Sequence, residues 1–192
     1  MLNEHLMTPV VDAYDVIVAG SGPAGSAAAI TAARAGARTL LLECNGCLGG
    51  VWTAGQLTWL FEMDKMGFNE ELNSELIRRN ARRGSKIRRY VYEIEEMKLL
   101  LEEMCLAAGV NFLFHTRVTK AYINESNRLD TVITESKSGR QAWKAKIFID
   151  ATGDGDLSAL AGCGYDYGMD DTGITQPMTY MALIAEIGRA HV

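Results

Sequence analysis

Apolar runs and helical spacing alternate along the first part of the chain and predict a strand, a helix and a second strand. Residues 16–18 and 39–42 are short, mostly apolar runs that are typical of buried strands. Between them, alanines recur on one face of a helix that begins at Pro23 and is ended by Gly36. This order predicts a βαβ unit with two parallel strands.

The strand and helix pattern continues beyond this unit. Residues 69–83 and 92–108 are predicted helices, and the second has apolar residues at three- and four-residue spacing, with glutamates on the other side and Gly109 at its end. Residues 110–115 are predicted to form a short strand. The intervening residues 44–67 contain glycines and large apolar side chains and predict a functional loop over a cofactor.

From Thr116 onward the hydrophobic period changes to two. Three β runs, near residues 118–123, 131–134 and 143–149, are separated by polar turns. They predict a β-meander inserted before the last parallel strand. The whole pattern indicates an α/β fold, with a Rossmann-like domain built on a parallel sheet.

Composition and charge exclude some classes of protein. The 192 residues suffice for one large domain or one domain and part of another, and 48% of them are hydrophobic. The net charge of −5 gives no general attraction to nucleic acid or to an anionic membrane. No segment has the apolar length of a membrane span and no secretory signal is visible, so we expect a cytoplasmic protein.

A basic run from Arg78 to Arg89 leaves two interpretations open. Seven of these twelve residues are basic. They could bind an acidic partner or nucleic acid, or they could form a solvated helix end and loop, because cations at a helix C-terminus favour the helix dipole. The second interpretation is favoured.

The strongest candidate chemistry lies between the first strand and the first helix. Gly20, Gly22 and Gly25 form a GxGxxG motif there. The first glycine allows a tight turn, the second lets a pyrophosphate approach the backbone, and the third lets the helix lie close to the strand. Pro23 suits the first helical turn because it lacks an amide hydrogen, and Ala24 belongs to the face of small residues. The helix N-terminus then favours the phosphate charge.

Two further features indicate which dinucleotide would bind. Glu43 ends the second strand about 20 residues beyond the glycines, where a carboxylate accepts hydrogen bonds from ribose hydroxyls. Small residues at 151–153 end a buried strand, and Asp154 or Asp156 can cap helix amides or accept from hydroxyls. With the two glycines at 49–50, this pattern favours FAD over a nicotinamide nucleotide, because extended FAD needs glycine-lined approaches beyond the first turn.

The cysteines are too few and too scattered for a disulfide framework. They are Cys44, Cys47, Cys105 and Cys163. The first two have CxxC spacing. A redox dithiol, two ligands of an iron–sulfur cluster and incidental loop cysteines remain open. The incidental interpretation is favoured, because a cluster normally needs four thiolates and no second CxxC exists.

These motifs resemble those of the FAD-dependent oxidoreductase family that is related to the FAD subunit of heterodisulfide reductase. The matching segments are residues 18–25, 42–43, 48–55, 108–110, 115–118 and 149–156. The resemblance implies a glutathione-reductase-like FAD domain with a separate substrate domain. It also implies site roles: Gly20, Gly22 and Gly25 meet the pyrophosphate, Glu43 the adenosine ribose, Gly49 and Gly50 the flavin side, Val118 the adenine through its backbone, and Gly153 and Asp154 the pyrophosphate or ribityl chain.

We therefore predict an FAD-binding domain over residues 1–165, with a helical and loop excursion over 56–90, and the start of a truncated substrate domain over 166–192. Residues 187–192 resemble the product of a sequencing adapter, so we expect a truncated reading frame.

The predicted function is an FAD-dependent oxidoreductase that transfers a hydride or electrons through bound flavin. Its partner would be a small-molecule substrate or a redox partner protein, and not nucleic acid or a membrane. The alternatives are an electron-transfer subunit with FAD and a 4Fe-4S cluster, and a non-catalytic cofactor-binding fragment. No side chain is predicted to be catalytic, and His115 is expected to be structural.

Overall fold

The computed structural model describes residues 5–60, 65–83 and 91–182. In chain order the elements are β1 (Val10–Ala19), α1 (Pro23–Arg34), β2 (Thr39–Leu42), one 3₁₀ turn (Gly50–Trp52), α2 (Phe68–Arg78), β3 (Arg82–Arg83), β4 (Val91–Tyr92), α3 (Ile94–Ala108), β5 (Asn111–Leu113), β6 (Arg117–Ile123), β7 (Leu129–Ser136), β8 (Gly139–Asp150) and α4 (Asp156–Leu160).

Six of the strands form one sheet in the order β5-β2-β1-β8-β7-β6. The first four are parallel, and β8, β7 and β6 are joined antiparallel. The predicted α/β fold with a parallel sheet and a β-meander is confirmed. The third strand of the meander is itself the last parallel strand, because β8 pairs with β7 on one side and with β1 on the other.

Both faces of the parallel strands are covered, which explains why their sequences are continuously apolar. Val18 and Leu41 point into a cluster formed with the helices, where Leu101 of α3 is fully buried. Their neighbours Ile17 and Leu40 point into a second cluster, formed with the meander. Consecutive residues of one strand therefore contribute to two different parts of the core.

The helix predicted over residues 69–83 is shorter in the structure. It ends at Arg78, and the left-handed backbone of Asn80, with φ of 54°, turns the chain away from the helix axis. Residues 82–83 then pair antiparallel with residues 91–92 as β3 and β4. The prediction of helix up to residue 83 is therefore wrong. Asparagine tolerates this backbone conformation better than most residues, so Asn80 is a stop signal that hydrophobic spacing does not report.

Other boundaries follow the sequence closely. The predicted strand at 39–42 and the end of the helix at Ala108 are confirmed, and Gly109 closes α3 in the left-handed conformation with φ of 78°. Strand β1 begins at Val10, earlier than predicted, because Asp12 and Asp15 interrupt the apolar pattern before Val16. Asp15 is fixed by an ion pair with Lys146 at 2.6 Å.

The chain after α4 contains no helix or strand between residues 163 and 182, and most of these side chains are exposed. The domain boundary at residues 165–166 stays a prediction. The predicted adapter-like end at 187–192 and residues 84–89 of the basic run lie outside the described residues. The described part of the basic run includes Arg78, which pairs with Glu75 at 2.6 Å. Within the described ranges, no helix is long and apolar enough to cross a membrane.

Candidate functional site

The carboxyl ends of three parallel strands meet at one edge of the sheet. Ala19 of β1 pairs with Leu42 of β2 on one side and with Asp150 of β8 on the other. The turns that follow these strands therefore lie together. In open parallel sheets, ligands bind at such an edge, outside the carboxyl ends of the strands.

The glycine turn after β1, residues 20–25, is packed so tightly that two of its positions have no room for a side chain. A Cβ added to Gly20, whose φ is +90°, would overlap the carbonyl oxygen of Ala151. A Cβ added to Gly25 would overlap the carbonyl oxygen of Gly20. The amide of Gly20 donates to Leu42 O at 2.8 Å, which joins the turn to β2.

Gly22 differs from both of these glycines. Its φ of −58° is ordinary, and a Cβ added there would meet nothing within 4 Å. Gly22 is the N-cap of α1 and Pro23 is its first residue, so this open space adjoins the helix start, where the first amides have no intrahelical acceptor. An anionic group fits there, because the amides and the positive end of the helix dipole stabilise negative charge. The cradle thus fits a diphosphate that approaches the backbone.

Glu43 is buried at the end of β2, with only 3% of its surface exposed. Its Oε2 accepts hydrogen bonds from the amide of Ser21, at 2.8 Å, and from the hydroxyl of Ser21. Its Oε1 accepts from the amide of Asn45 at 2.7 Å. Burial alone would raise the pKa of Glu43, but the hydrogen bonds from Ser21 and Asn45 hold that pKa below its usual range. The carboxylate is therefore charged at neutral pH and fixed beside the glycine turn.

Ser21 and Ser26 are site residues that the sequence analysis missed. Ser21 O accepts from the hydroxyl of Ser26 at 2.7 Å and from the amide of Gly49 at 2.8 Å. Ser21 thus joins β2, α1 and the following loop. The only sequence signal for Ser21 was its position inside GxGxxG, where a short polar side chain can bond to nearby backbone.

The structure brings Gly49 and Gly50 against the glycine turn. Both have left-handed backbone, with φ of 102° and 52°. A Cβ on Gly50 would lie 2.8 Å from the Cα of Gly22, and one on Gly49 would lie 2.7 Å from the methyl group of Thr53. Thr53 is buried and its hydroxyl donates to Leu48 O, which closes this part of the loop.

Val118 is also brought towards Glu43. It lies in β6, half-buried against the meander cluster. Two residues earlier, the amide of Thr116 donates to the backbone oxygen of Glu43 at 2.8 Å, so β6 starts beside the end of β2. Glu43, which is predicted to contact the ribose, and Val118, which is predicted to contact the adenine, therefore lie on neighbouring segments.

The turn after β8 contains Gly153 and Asp154, and both are exposed. The amide of Ala151 donates to Ala19 O at 2.8 Å, which places this turn next to the glycine turn. The sequence analysis proposed Asp154 or Asp156 as helix cap. In the structure, Asp150 accepts from the amide of Ser158 at 2.7 Å, so a strand residue has that role.

Thr152 completes the cap. Its hydroxyl donates to Asp150 Oδ1 at 2.7 Å and accepts from the amide of Asp156 at 2.8 Å. Burial would raise the pKa of Asp150, but the hydrogen bonds from Thr152 and Ser158 keep that pKa below its usual range.

The CxxC cysteines take part in local hydrogen bonds. Cys44 is exposed and its thiol donates to Glu43 Oε1 at 3.4 Å, while the thiol of Cys47 lies 3.7 Å from the hydroxyl of Thr53. Although Cys44 is exposed as a residue, partial desolvation of its thiol and the neighbouring Glu43 carboxylate raise the pKa of Cys44. A raised pKa disfavours the thiolate that redox chemistry and metal binding require. Within the described residues, no group of three or more His, Cys, Asp or Glu side chains could hold a metal ion.

A separate surface cleft of about 550 Å³ lies between the loop residues 45–47 and helix α3. Lys98, Glu95 and Glu102 line it, and Lys98 forms an ion pair with Glu95 at 2.7 Å. The cleft does not include the glycine turn. The glycine turn is the better candidate site, because the helix start and the charged Glu43 carboxylate beside it suit a dinucleotide.

Comparisons with known proteins agree with this geometry. The sequence model of the family described as FAD dependent oxidoreductase matches residues 15–192. A protein of Methanosarcina barkeri, described as "Uncharacterized protein in nifH2 5'region", is 31% identical over 170 residues, which cover 76% of this chain and 86% of that protein.

Two solved structures show the same fold. A geranylgeranyl bacteriochlorophyll reductase-like protein from Thermoplasma acidophilum superimposes with a TM-score of 0.60 and 20% identity, over 86% of this chain and 44% of that one. THI4 from Thermovibrio ammonificans gives a TM-score of 0.61 and 19% identity, over 85% of this chain and 64% of that one. The chain thus spans less than two thirds of either structure.

Proposed function

The chain belongs to the family of FAD-dependent oxidoreductases, and from that premise we propose that it binds FAD across the ends of β1, β2 and β8. The bound flavin would transfer a hydride or electrons. The observation that carries this proposal is the open space at Gly22. That space lies at the N-terminus of α1, between two glycines that leave no room for a side chain.

The residues of the glycine turn would have different roles in binding the diphosphate. Gly20 lets the turn pack against the end of β8, and Gly25 lets α1 begin close to Gly20. Gly22 leaves the space at the helix start accessible. Pro23 and Ala24 form the first turn of the helix beneath it, and neither presents a side chain long enough to block the approach.

Glu43 would bind the adenosine ribose through Oε1. Both lone pairs of Oε2 are used by Ser21, whereas Oε1 holds one amide and the thiol of Cys44. A thiol is a weak donor, so its contact at 3.4 Å costs little to replace. We therefore propose that a ribose hydroxyl takes the place of the Cys44 thiol, with the backbone of Val118 beside the adenine.

The flavin half would extend from the glycine turn past Gly49 and Gly50 on one side and Gly153 and Asp154 on the other. When bound, the flavin supplies the redox chemistry, and the protein fixes its position and surroundings. The partner would be a small-molecule substrate or a redox protein. The chain spans only 44% and 64% of the two solved structures. Turnover by this chain is therefore something that we propose and not something that follows from those structures.

The first test is to purify the chain, record its visible absorbance and identify any acid-released cofactor by mass. We expect FAD at one molecule per chain, either retained or taken up from added FAD. A folded but colourless protein that does not bind added FAD would overturn the proposal. Iron measured on the same sample separates flavin alone from flavin with a cluster.

A further inference from the structure

Tyr92 joins strand β4 to the loop beside the candidate site. Its side chain is 5% exposed, and its hydroxyl lies 2.8 Å from Trp52 O and 2.7 Å from Leu57 O. The hydroxyl has one hydrogen, so the two carbonyls share one donor. Burial raises the pKa of Tyr92, which keeps that hydrogen in place at all ordinary pH values.

The two carbonyls belong to the 49–57 loop, which is closed by its own hydrogen bonds. The amide of Gly55 donates to Gly50 O, and the amide of Leu57 donates to Val51 O, both at 2.9 Å. A Cβ added to Gly55 would lie 2.7 Å from the Cα of Val51, so the loop is compact. We therefore expect a shift at one end of the loop to reach its other end.

This loop has two anchors. At one end the amide of Gly49 donates to Ser21 O, and Gly50 lies against Gly22. At the other end the hydroxyl of Tyr92 holds Trp52 and Leu57. A displacement at Tyr92 therefore shifts the loop relative to the glycine turn. The glycine turn itself stays in place, because Gly20 packs against Ala151 and its amide donates to Leu42 O.

The hydroxyl can be removed without removing the rest of the anchor. The ring of Tyr92 packs in the helix cluster, and its amide donates to Thr58 O at 3.2 Å. A phenylalanine would keep the packing and the backbone hydrogen bond. It would leave two carbonyls of the 49–57 loop without their shared donor, and burying an unpaired acceptor is costly.

We infer that Tyr92 is a positioning residue for FAD, because its hydroxyl holds the 49–57 loop against the glycine turn before the cofactor binds. The inference rests on the proposed function. It assigns the loop to the flavin half of the cofactor, so the loss of the hydroxyl acts on FAD and leaves ADP, which has no flavin, nearly unaffected.

The test is to measure the dissociation constants of FAD and ADP for the wild-type chain and for Tyr92→Phe. We expect FAD to bind about tenfold more weakly to the variant, which corresponds to one lost hydrogen bond, and ADP to change by less than about twofold. The matched control is Tyr14→Phe. Tyr14 is 8% exposed and its hydroxyl bonds Asn111 at 3.3 Å in a different part of the core, so FAD affinity should stay unchanged.

Hydrogen exchange of the FAD-free proteins gives a second readout. The amides of Gly55 and Leu57 should exchange faster in Tyr92→Phe, while those of β2 should not change. Equal FAD affinity of wild type and Tyr92→Phe would overturn the inference and leave the proposed function intact. Equal losses for FAD and ADP would also overturn it, because they would indicate general destabilisation. A wild-type chain that binds neither nucleotide would overturn the proposed function, and this inference with it.

Discussion

The glycine turn after β1 and the turn after β8 lie side by side, yet they need glycine for different reasons. At Gly20 and Gly25 an added Cβ would overlap backbone atoms. Gly153 and Gly155 have left-handed backbone, with φ of 92° and 75°, but an added Cβ would meet nothing within 4 Å. The first turn has no space for a side chain at Gly20 and Gly25, whereas the second turn has space at both glycines but needs an unusual backbone conformation there.

The polar groups around the two turns differ in the same way. Ser21 and Glu43 beside the first turn are buried. Asp150 and Thr152 beside the second are only half-buried, and Asp154 is exposed. The first turn is therefore part of the core and is shaped before any ligand arrives. The second is held by local hydrogen bonds and leaves its surface open to one.

The largest expected difference is in stability. Gly25→Ala should lower the free energy of unfolding by about 3 kcal/mol or more, because the overlap falls on backbone that cannot move away. Gly153→Ala should cost only about 1–2 kcal/mol, since it introduces left-handed strain without a clash. Chemical denaturation of both variants measures this. Similar losses at the two positions would remove the distinction between the turns.

A smaller difference is expected in cofactor affinity. Glu43→Ala should weaken FAD binding by about tenfold, because it removes a ribose contact and the acceptor that fixes Ser21. Asp154→Ala should weaken it by about threefold, as the side chain is exposed. Titrations with FAD give both values. An Asp154 variant that binds more weakly than the Glu43 variant would assign the better-formed contact to the second turn.

The smallest effect is on the pH dependence of stability. The pKa values of Glu43 and Asp150 are lowered in the folded protein. Their stabilisation is therefore fully present above the ordinary carboxyl pKa of about 4 and is lost as pH falls through the lowered pKa values. Thermal unfolding of the FAD-free protein from pH 7 to pH 3 should therefore show a falling Tm. Glu43→Gln should flatten that fall more than Asp150→Asn. If Glu43→Gln flattened the fall no more than Asp150→Asn, the deeper burial of Glu43 would not make its carboxylate the more important of the two.

Much of the first turn could be predicted from the sequence because its signals are local. The three glycines and the strand before them are contiguous, and Glu43 ends the next strand. The parallel order of the sheet also follows, since buried parallel strands have few polar residues. The α/β fold was predictable for these reasons.

The connections between segments could not be predicted in this way. Ser21 reaches Glu43 across 22 residues and Tyr92 reaches Trp52 across 40, and neither contact leaves a periodic trace in the sequence. Asp150 was missed as a cap because it precedes α4 by six positions, outside the usual capping spacing. Only the folded chain brings these groups together.

The most direct test of the account is FAD binding by Gly22→Val, with Gly164→Val as the matched control. An added Cβ meets nothing within 4 Å at either glycine, and neither needs a left-handed backbone. Both variants should keep the wild-type Tm without FAD. We predict that wild type and Gly164→Val bind FAD equally and that Gly22→Val does not bind it, because the side chain fills the space of the pyrophosphate. Wild-type affinity in a folded Gly22→Val would contradict the assignment of this turn as the cofactor site.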